Sequence, residues 1–347
     1  MKKSSYSVIG AMAGSSMDGL DLSHVVFSIE PKGWNYQLKK CETIFYDKGI
    51  FSRLKNAHRL DRDEQESIDV EFGNWIGEKV SRFKNDIEQI DLAGIHGHTL
   101  IHKPEDEISW QLGRGDIIAK IIKLPTVTEF RTEDVKNSGQ GAPLVPFGDF
   151  TLFEGYDACL NLGGIANISL KESQTAWDIC PCNQVLNYFS NKLGKSFDQG
   201  GELAEKGQMN LAFYSAISKI DFFHQSPPKS LPNHFINQSL LDPVDPTDGL
   251  YTYCQIIAEQ INQSLEDPSP GKLLVTGGGA FNEFLISKIE SELKGWEVII
   301  PDSKLIDFKE SLIFAFLALK RFRNEVNVLA SVTGAAKDSS SGVIHLP

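Results

Sequence analysis

The feature that most restricts the fold of this chain is a repeated pattern: an apolar strand, a glycine-rich turn, and a second strand. It occurs first in "VIGAMAGSSMDGLDLSHVVFSI", Val8 to Ile29, and again in "ACLNLGGIANISL", Ala158 to Leu170. After the first turn, Val25, Phe27 and Ile29 share one face at the period of two that a strand imposes. The spacing then changes. Ile68, Phe72, Trp75, Ile76, Val80 and Phe83 form one stripe of a helix. "DLAGIHGHTLIH" and "TVTEF" return to strand. "TAWDI" reads as a strand closed by Asp178 that feeds a helix through Pro181, since proline is tolerated in a first helical turn. "KLLVTGGGAFNEFLISKIE" reads as strand, third glycine turn, then a helix with Phe281, Leu285 and Ile289 inward. Such alternation is that of an α/β chain. The repeat, spaced by about one domain's length, predicts a duplicated α/β domain whose two hairpins face each other across a cleft. With 347 residues the chain is long enough for two cores.

Composition narrows the partners. A net charge of −12 excludes a broad nucleic-acid or anionic-membrane surface, while leaving room for a local pocket that takes a phosphorylated ligand. "MKKSSYSVIG" has no apolar run of the kind a secretory signal needs. "LIFAFLAL", Leu312 to Leu319, is too short to span a bilayer and reads as a buried helix. The five cysteines form no repeating frame, as expected of reduced thiols in a cytoplasm.

Three glycine turns suggest a chemistry. Without Cβ atoms, successive backbone N–H groups converge on one point and form a nest for an anion, most often phosphate. Ser15 and Ser16 add hydroxyl donors to the first turn. Asp18 and Asp21 repel phosphate, and make sense beside it only with a divalent cation, Mg²⁺ with retained waters, lying between. The turn is neither a P-loop nor a dinucleotide fingerprint: it lacks the lysine and leads into a strand.

Taken together, "GAMAGSSMDGLD", "GIHGHTLIHKP", "WQLG", "EFRTEDV", "GQGAPLVP", "NLGGIANIS", "WDICPCNQVL", "PPKS", "TGGGAFN", "ESLIFAFLAL" and "SVTGA" occur in the order found in anhydro-N-acetylmuramic acid kinases. The chain resembles that family, within the sugar kinase, actin and heat-shock ATPase superfamily, over nearly its whole length. The resemblance implies two ribonuclease-H-like α/β domains around a nucleotide cleft. We expect one from residues 1–133 with 325–347 and the other from 134–324. It also implies ATP and Mg²⁺ as cofactors, a homodimer, and a reaction that hydrolytically opens 1,6-anhydro-N-acetylmuramic acid and phosphorylates O6. The product would be N-acetylmuramic acid 6-phosphate, in peptidoglycan recycling.

Site residues follow motif by motif. The resemblance makes Asp178 the catalytic base, which takes a proton from the water that attacks the anomeric carbon. Gly14, Ser15, Ser16, Met17, Asp18, Gly19, Leu20 and Asp21, with Gly163 and Gly164, would hold the phosphates, and Asp18 the metal. Gly277, Gly278 and Gly279 would let the backbone approach adenosine or the adjoining phosphate. Arg131 and Glu310 match family positions that contact the sugar or organise its pocket, arginine suiting a lactyl carboxylate through paired hydrogen bonds; Gln140 and His96 are further sugar candidates. His96, His98 and His102 share one strand face at even spacing, but the family has no metal there. Two departures stand out. Cys180 and Cys182 replace glycines of the commoner D-T-G-P-G-N pattern and read as small buried residues. In the proline-rich loop, Leu231, Pro232, Asn233 and His234 replace a charged pair. Two competing readings remain: a kinase of the same superfamily for another amino sugar or anhydrosugar, and a nucleotide-binding regulator that has lost transfer chemistry.

Overall fold

The computed structural model describes residues 3–14, 17–227, 229–231, 235–266 and 269–347. Its strands, in chain order, are β1 (Ser5–Ala13), β2 (Gly19–Glu30), β3 (Gly33–Phe45), β4 (Leu92–His96), β5 (His98–Lys103), β6 (Ile108–Leu112) and β7 (Thr126–Thr128), then β8 (Ala158–Leu162), β9 (Ile165–Leu170), β10 (Thr175–Pro181), β11 (Lys272–Thr276), β12 (Glu297–Ile299) and β13 (Val343–His345). They fall into two compact units. The first runs up to Phe153 and resumes over Phe308–Pro347; the second is Glu154–Asp307.

Each unit repeats one topology. In the first the sheet order is β13-β7-β4-β1-β2-β3, with β1, β2 and β3 an antiparallel meander and β4 and β7 parallel to β1. In the second the order is β10-β9-β8-β11-β12, where β8, β9 and β10 form the meander and β11 and β12 run parallel to β8. Parallel neighbours need a crossover. Helix Gly115–Ile122 lies in the connection from β4 to β7, and helix Glu283–Glu292 in that from β11 to β12. Both units are therefore ribonuclease-H-like, and the duplication read from the two hairpins is present in the fold.

In the first unit, helix Arg62–Phe83 starts at a reciprocal cap between Asp61 and Glu64 and buries Ile68, Phe72, Ile76, Val80 and Phe83. Trp75, expected on the same stripe, is only half-buried and stacks on Phe72 with ring centres 5.7 Å apart. Residues Leu312 to Leu319 of helix Ser303–Phe322 are all buried, as their apolar run predicted. That helix lies directly on β1: a Cβ at Gly10 would sit 1.9 Å from the Ser311 carbonyl oxygen.

The units divide at 153/154 and 307/308 rather than at the expected 133/134 and 324/325. Two contacts account for the difference. Lys309 and Asp149 form an ion pair of 2.8 Å with both side chains buried, and Phe147 stacks on Phe316 at 6.0 Å. They join helix Val145–Leu152 to helix Ser303–Phe322, whose Ser311 and Phe314 pack on Gly10 of β1 and Gly94 of β4 in the first unit.

Other local expectations change as well. "HGHTLIH" is not one strand: β4 ends at His96 and β5 begins at His98 in a separate two-stranded sheet with β6, so the three histidines share no face. Asp178 does not close β10, which continues to Pro181, with a register shift between Asp178 and Cys180. Pro181 therefore ends a strand, and helix Asn183–Lys192 starts after Cys182. Ile29 is 42% exposed because it lies near the sheet's rim, whereas Val25 and Phe27 are fully buried. Leu285 and Ile289 are buried as expected, but Phe281 is 46% exposed, since it stands in the turn before the helix. Cys180 and Cys182 belong to the second unit's core. Burial holds both thiols protonated, that of Cys182 pushed up to about 12.

Candidate active site

The second unit gathers two of the three glycine turns. The β8–β9 turn at Gly163 and Gly164 presents its carbonyls to the helix that follows β10: Asn183 N–H donates to Gly163 at 3.1 Å, and Cys182 N–H to Gly164 at 2.8 Å. The Asn183 side chain donates to the Leu162 carbonyl at 2.9 Å. At the carboxyl end of β11, Gly277 has φ +82°, and a Cβ there would lie 2.6 Å from the Asn161 side-chain oxygen and 2.8 Å from the Leu162 carbonyl carbon. Only glycine satisfies both conditions. The ends of β8 and β11, where ligands of such sheets bind, are thus locked side by side. Gly278 and Gly279 line a cavity of about 960 Å³ there.

Asp178 is half-buried in β10, opposite Asn167. Its N–H donates to the Lys229 carbonyl at 3.0 Å. Its Oδ2 accepts from Leu231 N–H at 2.9 Å and from the Ser230 hydroxyl at 3.1 Å. Oδ1 takes no hydrogen bond among the described residues. Burial raises the carboxyl above its ordinary value, and the bonds from Leu231 and Ser230 act against that rise. A carboxylate with one oxygen anchored and one free is suited to receive a proton. The "PPKS" segment that anchors it was legible as a motif, but nothing in the sequence tied it to Asp178. Of the variant loop, Leu231 is buried and bonded to Asp178, and Pro232, Asn233 and His234 lie outside the described residues.

In the first unit, Arg131 follows β7. Its Nε donates to Nε2 of His96 at 3.1 Å, and its Nη1 to the Gly141 carbonyl at 2.8 Å. Burial lowers the guanidinium to about 10, with Glu310 acting in the opposite sense, so it remains cationic at neutral pH. His96 is 3% exposed, packs on Phe314 with ring centres 4.5 Å apart, and is held neutral by burial and by Arg131. As the acceptor of Arg131's N–H, it presents a lone pair at Nε2. Glu310 is raised by burial; Lys309 and Arg131 pull it down, while Asp21 and Asp149 push it up. Arg131, His96 and Glu310 thus form one electrostatic cluster. Beside it a polar cavity of about 320 Å³ is lined by His96, Trp110, Gln111, Glu129 and His345. Gln140 is exposed and is tethered through its N–H to the Thr333 carbonyl. The loop around it is fixed by Asp134, which accepts from Gly141 N–H at 2.8 Å and from the Thr333 hydroxyl at 2.7 Å. The sequence reading passed over Asp134 and Thr333, although both lie in quoted motifs.

Ser15 and Ser16 lie outside the described residues. Met17 has φ +58° and donates its N–H to the Gly14 carbonyl. Asp18 is exposed, whereas Gly19 and Leu20 are buried in β2. Asp21 accepts from the Thr43 hydroxyl at 2.6 Å. Among the described residues no group of three His, Cys, Asp or Glu side chains could hold a metal. A Mg²⁺ ion that keeps its waters and binds phosphate oxygens needs only one carboxylate, and Asp18 is the exposed one.

A ribonuclease-H-like topology present twice, with glycine turns at its strand ends, defines the fold class that sugar kinases share with actin-like ATPases. The model of the anhydro-N-acetylmuramic acid kinase family matches residues 6–347. A protein named anhydro-N-acetylmuramic acid kinase from Hydrogenovibrio crunogenus is 31% identical over 98% of each chain, and one from Vibrio vulnificus strain YJ016 is 31% identical over 97% of each. Among solved structures, the chain is similar to a ROK family glucokinase from Streptomyces griseus in complex with glucose and AMPPNP, with TM-score 0.44 and 13% identity, covering 90% of this chain and 98% of that one. The chain belongs to the anhydro-N-acetylmuramic acid kinase family.

Proposed function

We propose that the protein opens 1,6-anhydro-N-acetylmuramic acid with water and phosphorylates its O6, yielding N-acetylmuramic acid 6-phosphate for cell-wall recycling. The observation that carries this reading is the geometry of Asp178, whose Oδ2 is anchored and whose Oδ1 takes no hydrogen bond among the described residues. Oδ1 takes a proton from the water that adds to the anomeric carbon, the bridging C1–O6 bond breaks, and O6 becomes the phosphoryl acceptor. O6 takes the γ-phosphoryl group of ATP, ADP leaves as the bond to the β-phosphate breaks, and a bound Mg²⁺ would supply charge that stabilises the transfer. Gly163, Gly164 and the opening turn hold the phosphates, Asp18 holds the metal, and Gly277, Gly278 and Gly279 lie against adenosine. Arg131 pairs with the lactyl carboxylate, Glu310 accepts from sugar hydroxyls, and His96 aims Arg131 through Nε2. Gln140 borders the same sugar site, to which the polar cavity beside His96 belongs. A homodimer and a cytoplasmic location accompany this reading. Among the described residues no helix is long and apolar enough to cross a membrane.

The test is incubation with ATP, Mg²⁺ and the anhydrosugar, followed by mass spectrometry. The expected product carries one water and one phosphoryl group more than the starting sugar. Phosphorylation only of other amino sugars would select the related-kinase reading. Nucleotide binding with no sugar-dependent ADP release would select the regulator.

A further inference from the structure

The C-terminal motif "SVTGA", Ser331 to Ala335, supplies no group to the reaction, yet hydrogen bonds lead from this part of the chain to both sides of Arg131. Four polar side chains carry them, and all are buried: Asp134, Asn327 and Ser341 have no exposed surface, and Thr333 is 2% exposed. Polar groups persist in such places when each finds a partner.

On one side, the Ser341 hydroxyl donates to the Phe130 carbonyl at 2.6 Å, which fixes the backbone just before Arg131. On the other, the Thr333 hydroxyl and Gly141 N–H each satisfy one oxygen of Asp134, and the Gly141 carbonyl accepts from Nη1 of Arg131. Two backbone bonds run alongside: Gln140 N–H donates to the Thr333 carbonyl and Ala336 N–H to the Asn137 carbonyl, each at 2.9 Å. Asn327 closes the C-terminal segment on itself. Its side chain accepts from Ser341 N–H at 2.6 Å and donates to the Ser341 carbonyl at 2.8 Å. It also donates at 2.9 Å to the carbonyl of Leu317, on the helix that carries Glu310. Removing the Thr333 hydroxyl would leave a buried Asp134 oxygen without its donor, which costs more than the bond itself is worth.

Arg131 is thus held by its backbone and by its guanidinium. His96 and Gly141 use two of its five N–H donors. The others pair with a carboxylate only when the fork is aligned, and a displacement of about 1 Å weakens such a contact. We propose that Asp134, Thr333 and Ser341 are positioning residues for Arg131: the C-terminal segment keeps the arginine fork in register for the sugar's carboxylate without touching the sugar. The proposal rests on the sugar-site reading of Arg131 given above.

Steady-state kinetics of the full-length protein with the anhydrosugar and ATP test it. The variants are Thr333→Val, Thr333→Ser, Ser341→Ala, Arg131→Lys and the double variant Thr333→Val/Arg131→Lys, each checked for folding by circular dichroism. Thr333→Val should raise KM for the anhydrosugar roughly tenfold, the scale of one weakened hydrogen bond to a charged group, with kcat and KM for ATP unchanged. Thr333→Ser keeps the hydroxyl and should return KM to the wild-type value. Beside Arg131→Lys, Thr333→Val should add less than about twofold, because residues that act through one another are not additive. Ser341→Ala should move KM in the same direction, and it decides the matter if Thr333→Val does not fold. A folded variant with wild-type KM, or a tenfold effect that persists in full beside Arg131→Lys, would overturn the positioning role and leave the sugar reading of Arg131 standing. Arg131→Lys with an unchanged KM for the anhydrosugar would overturn that reading and the positioning proposal with it.

Discussion

Asp178 was visible in the sequence as an acid on a strand, yet the partner that shapes it, Ser230, lies 52 residues further along a loop without periodicity. A pattern along the chain cannot report a hydrogen bond closed by tertiary folding. Asp178→Asn should fold and lose roughly 10²–10⁴-fold in turnover, the scale of a general base; near-wild-type turnover would remove Asp178 from the mechanism. In the proposed mechanism the ionised carboxylate is the active form, and burial raises its titration above the ordinary aspartate value. Activity should therefore fall on the acid side of neutrality. Ser230→Ala deletes a bond that favours the charged form, so the acidic limb of kcat/KM should move to higher pH while the plateau survives at alkaline pH. A limb that stays in place would show that Ser230 has no part in tuning the base. In the first unit, Arg131→Lys keeps the charge but loses the forked donor that reaches His96 and Gly141. KM for the anhydrosugar should rise roughly ten- to a hundredfold, with KM for ATP unchanged.

At the scale of elements, helices were easier to read than turns. The stripe from Ile68 to Phe83 and the run Leu312 to Leu319 settled their own burial, because apolar periodicity and buried face are one property. Phe281 could not be placed in this way: it continues the helical spacing of Leu285 and Ile289 but stands before Asn282, the residue whose side chain caps that helix. "HGHTLIH" failed for a related reason, since the alternation continues across Gly97 while the chain changes sheet. The contact of β1 with helix Ser303–Phe322 offers a test of element packing. Gly10→Ala would press a methyl group into the Ser311 carbonyl. It should destabilise the protein by about 1–3 kcal/mol, as overpacking does, and lower the midpoint of thermal unfolding by several degrees. An unchanged midpoint would mean that strand and helix are not in contact there.

At the scale of the whole molecule, the second unit is one uninterrupted segment with its own core, whereas the first is completed only by residues after Phe308. A fragment of residues 154–307 should unfold cooperatively when followed by circular dichroism, and a fragment of residues 1–153 should not, because the helix that covers Gly10 and Gly94 of its sheet is missing. A cooperative melt of the 1–153 fragment would contradict that account. By itself the sequence determined the α/β class, the duplication, the position of each glycine turn and the motifs that identify the family. All of these are written in spacing and residue type along the chain. Only the tertiary structure decided where the units divide, which oxygen of Asp178 is anchored, that His96 serves Arg131, and that Phe281 meets water. Each of those depends on groups far apart in sequence whose burial and hydrogen bonds exist only once the sheets have formed.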